Sequence, residues 1–392
     1  MKKLLSLLLA LVMVLALAAC GGGSKSPDAP AQGGASTTEP GSTPTPTPAP
    51  ADIDWSTWKI DPSQIPQEKL DTTLYLATSV RDPSSPYIAT VIGGMDKFAE
   101  YLDSIGQKYE KQVLDSGGDS TKEVENMRQF AAKANGNAIA YADPNENTIA
   151  YSLAEAMAES GGFIGTAWNK PDDVGPADLN PNWVIHTSPD DAVNGYNIAV
   201  ALFKHMDGKG KIFVCQGMLG NSAAIGRYEG LQNALKEYPD IEVVGDDTGN
   251  WLPDQAMALV ETWLTQHPDV GGVWCANDNM ATGALQALDN AGLKGKVGVV
   301  GIDANTDIVE AVRDGSAVAT VSSNGYLQGG YTMAICYAAW AGLIDVESLP
   351  DSCREFATPA KLIDSPEAAE EYLSVAPEFD YSQIFACKAD EF

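Results

Sequence analysis

The chain has 392 residues, more than one compact domain usually holds, so two are expected. Its 24 basic residues against 53 acidic ones leave a net charge of −29, which repels nucleic acid and anionic head groups and argues against DNA binding. With 44% hydrophobic and 20% charged residues, the composition is that of a globular protein.

The first twenty residues read as an export signal. Met1-Lys2-Lys3 supplies the positive start, and Leu4 to Ala19 is apolar apart from Ser6. That stretch is shorter than the ~20 residues a spanning helix needs, and it ends in small residues. Its end, LAAC, has the form of a lipoprotein cleavage site, which predicts that Cys20 carries lipid and becomes the new N-terminus. Residues 21–50 are Pro, Gly, Ser, Thr or Ala at 26 of 30 positions, a composition that builds no core, so 21–70 is expected to be a disordered tether.

From Thr72 onward, short apolar runs alternate with helical periodicity. TLYLAT is a strand. The helix after it carries Ile88, Val91, Ile92, Met95, Phe98 and Leu102 on one face. KYEKQVLD is the next strand, and Ser120 with Glu123 has the spacing of a capping box opening a helix around Val124, Met127 and Phe130. NAIAYA, a helix over 148–159 and GGFIGTA complete a first block. A second block runs helix 191–206, KIFVCQG, helix 222–236, IEVVG, helix 254–266, VGGVWCA, helix 279–291, KVGVVGI, helix 305–314 and AVATVS. A helix over 327–341 and a strand-like PAKLI end the pattern. Strands separated by helices predict parallel sheets covered on both faces, and two such blocks predict two α/β lobes.

Ligands of open parallel sheets bind beyond the carboxyl ends of the strands. Trp168-Asn169 follow GGFIGTA, and a loop leading to Arg227 follows KIFVCQG. Trp251 follows the turn DDTGN, Asn277 follows VGGVWCA, Asp303 follows KVGVVGI, and Ser323-Asn324 follow AVATVS. Each amide or carboxylate alone is commonplace as a helix cap; together they predict a polar cleft with aromatic walls. A sugar has a face of C–H groups and a rim of hydroxyls. Flat rings such as Trp168, Trp251 and Tyr87 suit the face. Asp303 and Arg227 suit neighbouring hydroxyls, and Asn169 and Asn277 can donate and accept. Lys170, Asp172 and Asp173 are expected to pair with one another.

In this order the segments SPYIATVIGGMDKFAEYL, QGMLGNSAAIGRYEGLQNAL, HPDVGGVWCANDNMATGALQAL and VVGIDANTDIVEAVRDGSAVATV resemble the type I periplasmic sugar-binding proteins, the ribose-binding-like group that shares its fold with LacI-type repressors. The resemblance covers about Thr72 to Leu343. It implies two Rossmann-like parallel-sheet lobes joined by crossover strands, 71–188 with 325–350 and 189–324 with 351–392, that close over one small ligand. It implies a substrate-binding component of an ABC transporter that delivers a sugar to a membrane permease, acting as a monomer with no cofactor or metal. It also implies ligand contacts at Ser85 and Tyr87 of SPY, and at Trp168, Asn169, Arg227, Trp251, Asn277, Asp303, Ser323 and Asn324. Ribose binders carry Asp-Arg where this chain has Trp168-Asn169, and arginine where it has Ile225, so the ligand is not expected to be held as ribose is.

Other readings find less support. Three histidines, with no HExxH, no GxSxG and no glycine-rich phosphate loop, give an enzyme little to work with. A transcription regulator needs a basic DNA-binding segment where this chain has its signal and tether. A receptor that reports to a membrane signalling partner, or a binder of a polyol, nucleoside or signalling furanose, fits the same residues. Cys215 and Cys275 are expected to be buried thiols, and the sequence leaves open whether Cys353 and Cys387 form a disulfide.

Overall fold

The computed structural model describes residues 58–376 and 378–381. The signal, Cys20, most of the tether and Cys387 lie outside them. The chain begins with α1 (Gln67–Asp71), then β1 (Leu74–Val80), α2 (Pro86–Ile105), β2 (Tyr109–Asp115), α3 (Ser120–Ala134), β3 (Ala138–Ala142), α4 (Ala150–Glu159), β4 (Phe163–Ala167) and β5 (Trp183–Ser188). It continues with α5 (Asp191–His205), β6 (Lys209–Gln216), α6 (Ser222–Glu237), β7 (Asp240–Thr248), α7 (Pro253–Gln266), β8 (Gly272–Cys275), α8 (Asp278–Asn290), β9 (Gly298–Val300), α9 (Thr306–Asp314) and β10 (Thr320–Ser322). Last come α10 (Gly325–Trp340), α11 (Asp351–Arg354), β11 (Glu355–Ala357), β12 (Lys361–Ile363) and α12 (Pro366–Ser374).

Two sheets result. The first has the order β11-β5-β4-β3-β1-β2, all parallel. The second has the order β7-β6-β8-β9, also parallel, and is extended by a bridge from Val300 to Ala319 beside β10. Antiparallel pairing of β10 with β12 continues that edge. Every residue of β3 is buried, as expected of a strand covered on both faces. The edge strand β2 is largely exposed and carries Glu110 and Lys111, which blunt it against further pairing. On the first sheet, α10 is buried almost all round and packs along α2. Gly94 and Gly329 permit that approach, because a Cβ at either would overlap the backbone of the other helix.

The chain crosses between the sheets after β5, again at Ser323-Asn324 between β10 and α10, and a third time between β11 and β12. This third crossing is later than the boundary at 350/351 drawn from the sequence. Glu355, Phe356 and Ala357 pair with His186, Thr187 and Ser188 of the first sheet, and Arg354 donates to the carbonyls of Pro176, Asn180 and Trp183. The final described residues also return to the first sheet, where Tyr381 and Phe379 join an aromatic cluster with Phe98, Tyr101 and Tyr331. There the Ile60 N–H donates to the Tyr381 carbonyl at 3.2 Å.

Three local expectations are corrected. The cap of α3 is Asp119, whose carboxylate accepts from the Lys122 N–H, while Glu123 turns inward to accept from Ser79 Oγ at 3.2 Å and the Asn145 N–H at 3.0 Å. β5 was absent from the sequence pattern because WVIHTS ends in polar residues, yet His186 is buried and its Nδ1 shares a hydrogen with Thr166 Oγ1 at 2.8 Å. Lys170 pairs with Glu355 at 2.9 Å rather than with Asp172 or Asp173.

Candidate functional site

The carboxyl ends of both sheets face one cavity. Arg81 follows β1, Asp143 to Asn145 follow β3, and Trp168-Asn169 follow β4. Ser85, Tyr87 and Ile88 come from the start of α2. From the other side come Asn221, Ala223 and Arg227 of the α6 region, Trp251 after β7, Asn277 after β8 and Asp303 after β9. Contacts across the cavity hold the two sides together. Asn279 Nδ2 donates to Ser85 Oγ at 3.1 Å, and the Ser222 N–H donates to Asn169 Oδ1 at 3.0 Å and Asn147 Oδ1 at 3.1 Å.

Arg227 is the centre of the arrangement. Its Nε donates to Asp191 Oδ1 at 2.8 Å and its Nη1 to the Ala276 carbonyl at 2.7 Å, with Asp303 Oδ1 3.9 Å from Nη1. The guanidinium carbon lies 4.9 Å from the ring centre of Trp168 and 5.5 Å from that of Trp251. An arginine between two indoles is fixed by charge, hydrogen bonds and cation–π attraction together. Trp168 in turn meets Tyr87 edge-on at 5.6 Å. Burial works against the Arg227 charge, but Asp191 and Asp303 hold its pKa above the ordinary value.

Burial pushes the Asp303 carboxyl up to about 7, against the pull of Arg227. It pushes Asp143 up to about 6, against Arg81 and the Asn169 amide. Asp191 is raised by burial as well, and Arg227 opposes that shift. Behind Asp303, burial holds Asp278 well above its ordinary range, with Thr320 Oγ1 at 2.9 Å and the Asn305 N–H at 2.8 Å.

Backbone strain marks the same place. Among the described residues eight non-glycine positions have positive φ, and Trp168 (64°), Trp251 (67°), Asp303 (131°) and its neighbour Ala304 (53°) are four of them. Such conformations cost about 1–3 kcal/mol each and persist where the surroundings impose them, often at ligand clamps.

Eight of the ten residues singled out from the sequence line the cavity: Ser85, Tyr87, Trp168, Asn169, Arg227, Trp251, Asn277 and Asp303. Several are committed to protein partners. Asn169 Nδ2 donates to Asp143 Oδ1 and the Pro144 carbonyl, Tyr87 donates to Gln328 Oε1 at 2.8 Å, and Asn277 Oδ1 caps α8. Ser323 and Asn324 are not among the lining residues. Asn324 turns back with φ 49° to cap α10 through the Leu327 N–H, and the buried Ser323 Oγ has no hydrogen-bond partner. Arg81, Asp143, Asn145 and Asn221 line the cavity without having been singled out. The strand-end rule, applied to TLYLATSV and NAIAYA, finds Arg81 and Asp143. A second, more open pocket shares Trp168 as a wall and is lined by Lys170, His186 and the β11 residues. No cluster of residues suited to a metal occurs among the described residues.

Comparison with known proteins agrees with this geometry. The family model for the periplasmic binding protein domain matches residues 76–343. The xylitol-binding protein of Mycolicibacterium smegmatis is 35% identical over 194 residues, 49% of this chain and about half (54%) of that protein. The ribose import binding protein of Escherichia coli is 30% identical over 247 residues, covering 63% of this chain and 78% of that one. Among solved structures, a twin-arginine translocation pathway signal protein from Burkholderia phytofirmans matches with a TM-score of 0.75 and 32% identity, over 80% of this chain and 97% of that chain. An ABC transporter solute-binding protein from Actinobacillus succinogenes with bound D-allose shares the fold, with a TM-score of 0.67, 23% identity and coverage of 76% and 100%. Two parallel sheets whose strand ends enclose one aromatic and charged cavity are the architecture of this group, and this chain belongs to the periplasmic binding protein family.

Proposed function

We propose that this chain is an extracytoplasmic binding protein that captures a small sugar or related polyhydroxylated compound between its two sheets and passes it to an ABC importer. The observation that carries this reading is the cavity built from strand ends of both sheets, with planar charged groups beside indole rings. Relatives named for xylitol and ribose, and a neighbour holding D-allose, support the ligand class. Membership in a family of binding proteins sets the chain apart from enzymes.

Capture requires the two sides to part and close, bending at the three chain crossings. Trp168 and Asp303 come from opposite sides, so one ligand meets both only in the closed form. A thermal-shift screen against sugars, polyols and nucleosides should find a stabilising compound, and that compound should reduce the radius of gyration in small-angle X-ray scattering. Trp168→Ala should weaken its binding, since an aromatic contact contributes about 0.5–1.5 kcal/mol beyond buried area, and should remove part of the ligand-induced change in tryptophan fluorescence. Unaltered calorimetric affinity in this variant would assign Trp168 to packing alone.

The protein is held at the membrane by lipid on Cys20, a reading that rests on LAAC after the apolar stretch. Cys20→Ala should shift the protein out of the membrane fraction or leave the signal uncleaved. Normal processing with full membrane retention would refute the anchor.

A further inference from the structure

Asp143 and Asp303 line the cavity with Arg81 and Arg227, and Asp191, outside the lining, pairs with Arg227, so three carboxyl groups share two guanidinium groups. Arg227 is also withdrawn from the ligand, because Asp191 and a backbone carbonyl occupy its Nε and Nη1. That leaves two carboxylates against Arg81 alone.

The hydrogen bonds point the same way. The Asp303 side chain is only 7% exposed, and the nearest cation stands 3.9 Å away. Asp143 has one amide donor, Asn169 Nδ2, at 3.2 Å. The buried Asn145 Oδ1, in the same wall, has no partner. A neutral polyol would give these acceptors hydroxyl donors but bring no charge to keep both carboxyls ionised, whereas an ammonium offers three donors, no acceptor and one positive charge.

We propose that the ligand is a polyhydroxylated compound bearing a protonated amine, with the ammonium received by Asp143 and Asp303 and the hydroxyls by the remaining polar groups. This rests on the reading of the cavity as a site for polyhydroxylated ligands and narrows it to a cationic class. Hydrogen bonds to a charged partner exceed neutral ones by enough to make the amine about tenfold tighter than its hydroxyl counterpart.

The test is calorimetric titration at pH 7 with matched pairs: D-glucose and D-glucosamine, D-galactose and D-galactosamine, xylitol and 1-amino-1-deoxyxylitol, myo-inositol and scyllo-inosamine. At least one amine should bind about tenfold more tightly than its partner. Asp303→Asn should bring the ratio of amine to neutral affinity toward one, whatever it does to the neutral partner's own affinity. Asp143→Asn provides the same readout should the first variant fold poorly, and melting curves check both. If no amine exceeds its partner, whether or not the neutral members bind, the proposal is overturned. Binding by neutral members alone would leave the broader reading standing. A preference that survives in both variants would also overturn the assignment.

Discussion

Arg227→Met is expected to destabilise the ligand-free protein by about 3–5 kcal/mol at pH 8, the usual cost of removing one partner from a buried ion pair. The side chain is 4% exposed and its partner Asp191 10%, so neither charge has water to fall back on. Methionine has a similar length and can still lie between Trp168 and Trp251, which isolates the loss of charge from the loss of packing. Without the cation, Asp191 and Asp303 repel each other in the same buried space. The penalty should shrink toward pH 5, because burial already raises both carboxyls and protonation would discharge them. Urea denaturation at the two pH values measures the difference. An equal loss at both would mean that the hydrogen bond to Ala276 and the packing of the guanidinium matter more than its charge.

Glu123→Gln is expected to remove much of the pH dependence of stability between pH 5 and 8. Burial pushes the Glu123 carboxyl from 4.5 up to about 8, opposed by the Asn145 N–H and Ser79 hydroxyl that bond to it. The folded protein therefore holds this proton more tightly than the unfolded chain. The associated stability is fully present below about pH 4.5 and is lost as the pH rises through about 8. A shift of this size corresponds to about 4–5 kcal/mol across that window. Glutamine keeps an oxygen for Asn145 and an amide for Ser79 without ionising, so the variant should melt higher than the parent at pH 8 and change less with pH. Asp303 and Asp143, raised to about 7 and about 6, contribute a residual slope of the same sign. A variant with the parent's full slope would assign the titration to those two groups instead.

Much of the architecture was legible because parallel strands buried on both faces leave continuous apolar runs, as AIAYA and GVWC do. Strand β11 left no such trace. It is three residues long, Glu355 is exposed, and its position depends on pairing with β5 some 170 residues earlier in the chain. Glu123 misled for a related reason. The capping-box spacing is local, whereas its actual partners Ser79 and Asn145 lie on other elements. Within the cavity, strand ends were informative about position but not about commitment. Nothing near Asn169 in sequence announces that its amide joins Asp143 to Ser222. Nor does any residue type announce the left-handed backbone of Trp168 and Trp251, a conformation that tertiary contacts impose on ordinary L-residues.

The hydrogen bond between Ile60 and Tyr381 makes the folded body nearly a closed ring, with entry and exit side by side on the α2–α10 layer. A reporter joined at Tyr381 would therefore sit beside the point where the described chain enters at Ile60. Joining the two ends with a short linker and opening the chain at the exposed turn around Gly295 would move both termini to the other sheet without cutting any strand that carries the cavity. Such a rearrangement separates where the body is attached from how its cavity is built, a freedom that few two-sheet chains with distant ends possess.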